Sequence, residues 1–179
     1  MTLEREAKYA RGVTTPNTVA RTIVGFARDE AGEHVAWLDC GHRRHIRHRP
    51  PLSSYPWIED EAGRAAHVGA AIECGRCLQR SWPEGVEAYR STAIFDEHSV
   101  PAGLLAEHRT RKGAWGRLEV SAGALVLCFA APLDERVEVE AGGWAAIPPE
   151  LVHHVELRGP VKFRVVFCRR PAEPDAQAP

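Results

Sequence analysis

Residues 114–132 read AWGRLEVSAGALVLCFAAP, and residues 142–157 read GGWAAIPPELVHHVEL. In the first stretch Trp115, Arg117 and Glu119 alternate with Gly116, Leu118 and Val120. A period of two belongs to a strand, whose successive side chains point to opposite faces. Ser121-Ala122-Gly123 breaks the run, the apolar residues 124–129 resume it, and Ala130-Ala131-Pro132 closes it. In the second stretch WAAI runs into Pro148-Pro149 before VHHVEL begins. Similar runs lie on both sides: YRSTAIF from residue 89, RVEVE from residue 136 and VKFRVVF from residue 161. Turn residues separate them at Val100-Pro101-Ala102-Gly103, Arg111-Lys112-Gly113, Gly142-Gly143 and Gly159-Pro160. Short strands at this spacing predict an all-β sandwich or barrel over residues 81–170.

The whole chain has 179 residues, with 23 basic and 24 acidic side chains and a net charge of −1. That length allows one ordinary domain or two small ones and excludes a long repeat array or a large multidomain enzyme. Hydrophobic residues at 44% and charged residues at 26% fit a soluble globular protein rather than a disordered one. Four segments are expected: a flexible arm at 1–20, a small Cys/His unit at 21–80, the β unit at 81–170 and a disordered tail, PAEPDAQAP, at 171–179. The start, MTLEREAKYARGV, is charged where a secretory signal would be apolar, and no stretch approaches the roughly 18–20 apolar residues of a membrane span. A cytoplasmic protein with no membrane partner is therefore expected. No dinucleotide glycine fingerprint, P-loop or GxSxG elbow occurs. Residues 1–80 carry +2 and residues 81–179 carry −3, neither large enough to name a partner.

The smaller unit opens on a predicted hairpin over 22–40, TIVGFAR and HVAWLDC, turning at Asp29–Glu33 where Gly32 is free to take positive φ. HRRHIRHRPP follows as a loop, and EDEAGRAAHVGAAIE at 59–73 suits a short helix. A unit of about 60 residues with few large apolar side chains is marginal on core burial alone, and a bound metal is one common supplement. Cys40-Gly41-His42 and Cys74-Gly75-Arg76-Cys77 supply it. In extended backbone, i and i+2 share a side, so Cys40 and His42 can converge; a CxxC turn delivers two thiolates. Three sulfurs and one nitrogen closing a tetrahedron make a structural zinc set of Cys40, His42, Cys74 and Cys77, with His45 and His48 competing for the nitrogen position. An odd count of 5 Cys without an export signal favours metal or free thiols over disulfides, and no βαβ pattern supports thioredoxin-like chemistry. Cys128 and Cys168 lie in apolar strands as core residues. Arg43, Arg44, Arg47 and Arg49 could contact phosphate, making a nucleic-acid or protein adaptor one reading; the competing one is a solvated loop balanced by Glu59, Asp60 and Glu61.

The two opening stretches resemble the halves of a cupin signature: His108 precedes the strand and the Gly123 turn, and Pro148-Pro149 leads to His153-His154. The first half lacks the usual HxH and carboxylate; Gly116 and Arg117 stand there instead. Arg117, with Trp115 and Glu119, is then a candidate anion or small-ligand contact, or Arg117 and Glu119 simply pair. The run from Trp82-Pro83-Glu84-Gly85 through Val100-Pro101-Ala102-Gly103, His108–Val120 and Ile147-Pro148-Pro149-Glu150-Leu151-Val152-His153 resembles the TehB/YeaR-like cupin domain of the tellurite-resistance family over 82–170. That resemblance implies a mainly β fold with a double-stranded β-helix (jelly roll), and a divalent metal (Zn, Fe or Mn) at His108 and His153. Longer family members attach a methyltransferase that uses S-adenosylmethionine; this chain has neither the length nor the loop for it, so no such site is expected. The pattern from Gly25-Phe26 through Trp37, Cys40-Gly41-His42, His45, Pro50-Pro51 and Trp57 to Cys74 and Cys77 is similar to a small bacterial domain, a zinc-ribbon-like α+β module of unknown function. The leading expectation is a non-methyltransferase cupin binding a metal ion, oxyanion or small ligand in a stress response, paired as a homodimer by analogy. The alternatives are a metal-dependent oxygenase or isomerase using His108 and His153, and the zinc-dependent adaptor.

Overall fold

The structure, a computed structural model, describes residues 18–171. Most of the arm and all but Pro171 of the tail therefore lie outside the described residues. Among those described, no helix is long and apolar enough to cross a membrane. The fold is mainly β and every strand pairing is antiparallel.

Four strands build the first sheet: β1 (Val19–Arg28), β2 (His34–Leu38), β3 (Arg43–His45) and β4 (Ala71–Cys74), in the order β3-β2-β1-β4. The expected hairpin is β1–β2. Its turn is held by Asp29 Oδ1, which accepts from the N–H groups of Ala31 and Glu33, with Gly32 at φ +76°. β1 starts at Val19, inside the expected arm, because Val19 and Ala20 find partners in Cys74 and Glu73. The basic run also departs from the expected loop. Arg43–His45 is a strand, since the outer edge of β2 needs backbone partners and Val35, Ala36 and Trp37 find them in His45, Arg44 and Arg43. The helix of 59–73 is shorter than its pattern: α1 spans Glu61–His67 after a 3-10 turn at Pro56–Ile58. Asp60 caps it by accepting from the Gly63 N–H at 2.6 Å. α2 (Gly75–Leu78) is a single turn carrying Cys77.

The remaining strands are β5 (Glu87–Ser91), β6 (Trp115–Ala122), β7 (Ala124–Phe129), β8 (Glu135–Glu140), β9 (Trp144–Ile147), β10 (His153–Leu157) and β11 (Lys162–Arg169). They form two sheets, β5-β11-β6-β9 and β10-β7-β8, the jelly-roll arrangement expected of this half. Leu118, Val120, Ile147 and Phe163 of one sheet meet Leu125, Leu127, Phe129, Val139 and Val155 of the other in a buried core. The β6–β7 turn needs glycine: Gly123 has φ +71°, and a Cβ there would fall 2.1 Å from the Pro160 carbonyl oxygen.

β6 sorts its side chains by parity. Leu118 and Val120 enter the barrel core, and Trp115 goes to the opposite face. There it joins Ala146, Val166 and Cys168 in one buried cluster with Ile23, Leu38, Cys40, Ile58, Cys74 and Cys77 of the N-terminal half. The outer face of the four-stranded sheet is thus roofed, at the Trp115 end, by the N-terminal unit. Trp115 is 0% exposed, and its Nε1 donates to the Cys40 carbonyl at 2.7 Å. Truncating Trp115 to alanine removes that packing and orphans the carbonyl. The expected cost is about 3–5 kcal/mol, read as a lowered denaturation midpoint. Probes in the two halves should shift together, because the core is shared.

Candidate metal centre

Cys40 and His42 flank the tight turn between β2 and β3. Leu38 N–H donates to His42 O at 3.0 Å and Gly41 N–H to Leu38 O at 2.8 Å, with Gly41 at φ +82°. The two side chains converge because the chain reverses between them; the extended i, i+2 alternation expected for this pair is not how it happens. Cys74 ends β4 and Cys77 lies one helical turn on, in α2. Because β4 and β2 both pair with β1, the two pairs of ligands meet at one end of the sheet.

The four ligand atoms lie within 4.8 Å of one another, and all four residues are buried. His42 Nδ1 is 3.5, 3.4 and 3.7 Å from the Sγ atoms of Cys40, Cys74 and Cys77, and Cys40 Sγ is 4.0 Å from Cys74 Sγ. A tetrahedral ion with bonds of about 2.3 Å to sulfur and about 2.05 Å to nitrogen has edges of about 3.8 Å (S–S) and about 3.6 Å (S–N). The cluster fits that figure and can hold a metal ion. His45 and His48 stand outside it: His45 Nε2 is 2.8 Å from Asp29 Oδ2, and His48 Nδ1 accepts from the Tyr55 N–H.

The surroundings complete the fit. His42 Nε2–H donates to Ser81 O at 2.9 Å, which leaves the Nδ1 lone pair facing the sulfurs. Without a cation the sulfurs share protons: the thiol hydrogen bond from Cys40 holds Cys74 well below the usual thiol range and pushes Cys40 above it. Three thiolates around a divalent ion sum to −1, and the buried Arg21 guanidinium offsets that charge. Its Nε donates to Cys77 Sγ at 3.3 Å, its Nη2 to Pro149 O at 2.7 Å, and its Nη1 lies 3.2 Å from Glu150 Oε2. Arg21 thereby ties the cluster to the PPE segment of the barrel. Neither Arg21 nor Ser81 was legible as part of the site. The one available signal was that Arg21 shares its strand face with Val19 and Ile23, an inward position where a charge needs partners.

The basic run is largely paired within its own unit. Arg47 and Arg49 both bind Glu33, Arg43 binds Glu84, and Arg44 donates to the Glu73 carbonyl. The balancing acids are thus Glu33, Glu84 and Asp29, not the expected Glu59, Asp60 and Glu61.

In the barrel, His108 and His153 form an antiparallel bridge with two backbone hydrogen bonds, and their rings are 4.3 Å apart. Both line a cavity of about 120 Å³ with Thr92, Arg109, Thr110 and Phe163. His153 Nδ1 faces Leu151 O at 2.8 Å and His108 Nδ1 faces Ala106 O at 3.0 Å. Each Nδ1–H is used, so each neutral ring keeps its lone pair at Nε2. Burial holds His153 down at about 4, so this ring is neutral at physiological pH. Among the described residues no third Cys, His or carboxylate joins the pair into a three-ligand group. Arg117, Glu119 and Trp115 do not reach this cavity. Arg117 pairs with Glu119 at 2.6 Å on the outer face, where Arg164 binds Glu119 as well, and Trp115 sits in the shared core. Thr110 links the two centres: its Oγ1 donates to Pro148 O at 3.4 Å and accepts from the Glu150 N–H at 3.2 Å.

A family model described as a protein of unknown function (DUF3565) matches residues 24–81, and one described as a TehB-like domain matches residues 90–165. The uncharacterized protein YeaR of Escherichia coli (strain K12) is 35% identical over 82 residues, covering 41% of this chain and 69% of YeaR, and YeaR of Escherichia coli O157:H7 matches equally. Among solved structures, a crystal structure of a protein from Escherichia coli (strain K12) aligns with a TM-score of 0.48 and 30% identity over 51% of this chain and 98% of that one. TehB from Haemophilus influenzae aligns with a TM-score of 0.45 and 17% identity over 49% of this chain and 32% of TehB. A cupin-2 domain containing protein from Shewanella frigidimarina gives 0.31 and 20% over 34% of this chain and 56% of that one.

Arg21 provides the sharpest check on the centre, because it supports the ligands without being one. Arg21→Met is expected to weaken metal binding about 10–100-fold with all four ligands intact. Competition with a chelator measures it, and an unchanged affinity would show that the guanidinium does not serve the cluster.

Proposed function

The chain belongs to the TehB-like family with YeaR, and we propose that it is a non-methyltransferase member whose zinc-bound N-terminal unit braces a ligand-binding barrel. Zinc is the ion proposed for Cys40, His42, Cys74 and Cys77: three thiolates and one imidazole are its preferred structural set, and no ligand position is left open for substrate. Bound there, zinc would cross-link β2, β4 and α2 and contribute folding free energy to a small unit. The units proposed, 21–80 and 81–170, then act as one body, as their shared core favours. The free state of all five cysteines suits a reducing compartment, in keeping with a cytoplasmic location.

The ligand site proposed is the barrel cavity. The observation that carries it is the pair of Nε2 lone pairs on His108 and His153 in a small, mostly apolar cavity rimmed by Arg109. Two imidazoles can hold a divalent ion (Zn, Fe or Mn) that keeps open positions, or can accept hydrogen bonds from a small protonated oxyanion. Arg109 replaces Arg117 as the cation available to such an anion. Tellurite-type oxyanions and a stress-response setting are the proposed context, drawn from the family. A metal-dependent oxygenase or isomerase is the second reading, and the open positions around a two-histidine metal favour it. The adaptor reading has less support, because the arginines of the basic run already have partners.

Two measurements test these proposals separately. Mass spectrometry of the native full chain should find one tightly held zinc, lost in Cys74→Ser together with thermal stability; zinc-free protein of undiminished stability would remove the bracing role. Titration of the full chain with tellurite and, separately, with manganese(II) should show binding by at least one of them that His153→Ala abolishes. If neither probe binds in a way that depends on His108 or His153, the cavity is packing space.

A further inference from the structure

A third set of metal-binding side chains converges away from both centres. Cys128, His154 and Glu156 each offer a ligand atom, all within 4.8 Å of one another. Strand register assembles them: Cys128 of β7 stands opposite His154 of β10, and Glu156 follows two residues along β10 on the same face. That face points away from the barrel. Leu125, Leu127 and Phe129 of β7 fill the barrel core, so Cys128 is turned outward beneath its neighbours' side chains. Likewise His153 enters the cavity and His154 does not. His154 Nε2 is 3.6 Å from Glu156 Oε1, and Arg136, opposite Cys128 on β8, binds both oxygens of Glu156. Cys128 is 4% exposed, whereas the side chains of His154 and Glu156 are 28% and 38% exposed.

We propose that Cys128, His154 and Glu156 form a second binding site for a borderline divalent cation of the zinc type. One sulfur, one imidazole nitrogen and one carboxylate oxygen are ligands such ions share, and three protein ligands leave an outward position for water. The site differs in kind from the buried four-ligand centre, because solvent reaches it through His154 and Glu156. Arg136 orients the carboxylate while using only part of its acceptor capacity, since two carboxylate oxygens offer about four lone-pair sites. Binding releases the Cys128 thiol proton to solvent. A thiolate and a carboxylate balance the ion, and Arg136 then leaves an excess of positive charge. This site is therefore weaker than the three-thiolate centre, where three sulfurs bind and Arg21 faces the residual negative charge. A supply of metal that saturates the first centre would reach this one only at higher concentration.

Cobalt(II) titration of the full-length protein, followed by thiolate-to-cobalt absorption, tests the assignment. A tight equivalent is expected first, removed by Cys74→Ser, then a weaker one that also carries thiolate absorption. Cys128→Ser and Glu156→Gln should each weaken the second by at least about tenfold and leave the first in place. Glu156→Gln changes a partly exposed side chain, so it keeps the test valid if Cys128→Ser disturbs the sheet. Absence of a second thiolate-bearing equivalent in the unaltered protein overturns the proposal, as does one that neither variant weakens.

Discussion

Three sulfurs and an imidazole nitrogen share a buried space the size of one coordination sphere, and much of the chain is arranged around that constraint. Thiols packed at these distances must trade protons or take up a cation; a cation satisfies all four ligands at once. The neighbours are placed accordingly. Ser81 O takes the far nitrogen of His42, and Arg21 sets a positive charge against Cys77. Neither contact is local, since the ligands come from a β-turn, a strand end and a one-turn helix that meet only when β2 and β4 have both paired with β1.

The same cluster decides how the two halves meet. Trp115 belongs by sequence to a barrel strand, yet it packs with Cys40, Cys74 and Cys77 and donates to the carbonyl of Cys40. Arg21 belongs to the first strand of the N-terminal half, yet two of its three partners are Pro149 and Glu150. Glu150 and Thr110 continue the path to the cavity that holds His108 and His153. A unit able to hold a metal ion and a barrel are joined by a buried core and a chain of hydrogen bonds. The contact explains why a strand residue as large as Trp115 faces outward from the barrel: another unit's core receives it.

Along the barrel strands, parity assigns chemistry. β10 sends His153 inward to the barrel cavity and His154 outward to Cys128 and Glu156. β6 sends Leu118 and Val120 inward and leaves Arg117 and Glu119 to pair on the surface with Arg164. Adjacent residues of similar type thus end in unrelated environments, and the barrel offers different ligand sets on its two faces.

The mainly β class and most of the strands and turns of residues 81–170 could be read from the residues alone, because alternation and glycine or proline punctuation are local properties. The sequence also pointed to a candidate metal cluster: a CxH and a CxxC in a unit too small to stand on apolar burial alone named the three cysteines and left the nitrogen among His42, His45 and His48. The rest depended on packing. The strand Arg43–His45 formed because β2 had an edge to fill, which no window of sequence displays. His42 prevailed over His45 and His48 because a reversal at Gly41 aims it inward while the others meet Asp29 and the Tyr55 amide. Arg117 lies outside the barrel cavity, and Arg21 and Trp115 adjoin the Cys/His cluster, because facing is set by which surface a sheet buries against its partner. That depends on contacts between residues 56, 75 and 128 positions apart, such as Arg21 with Cys77, Trp115 with Cys40 and Arg21 with Pro149. Strand periodicity says that two faces exist; only packing across such distances says which of them is the inside.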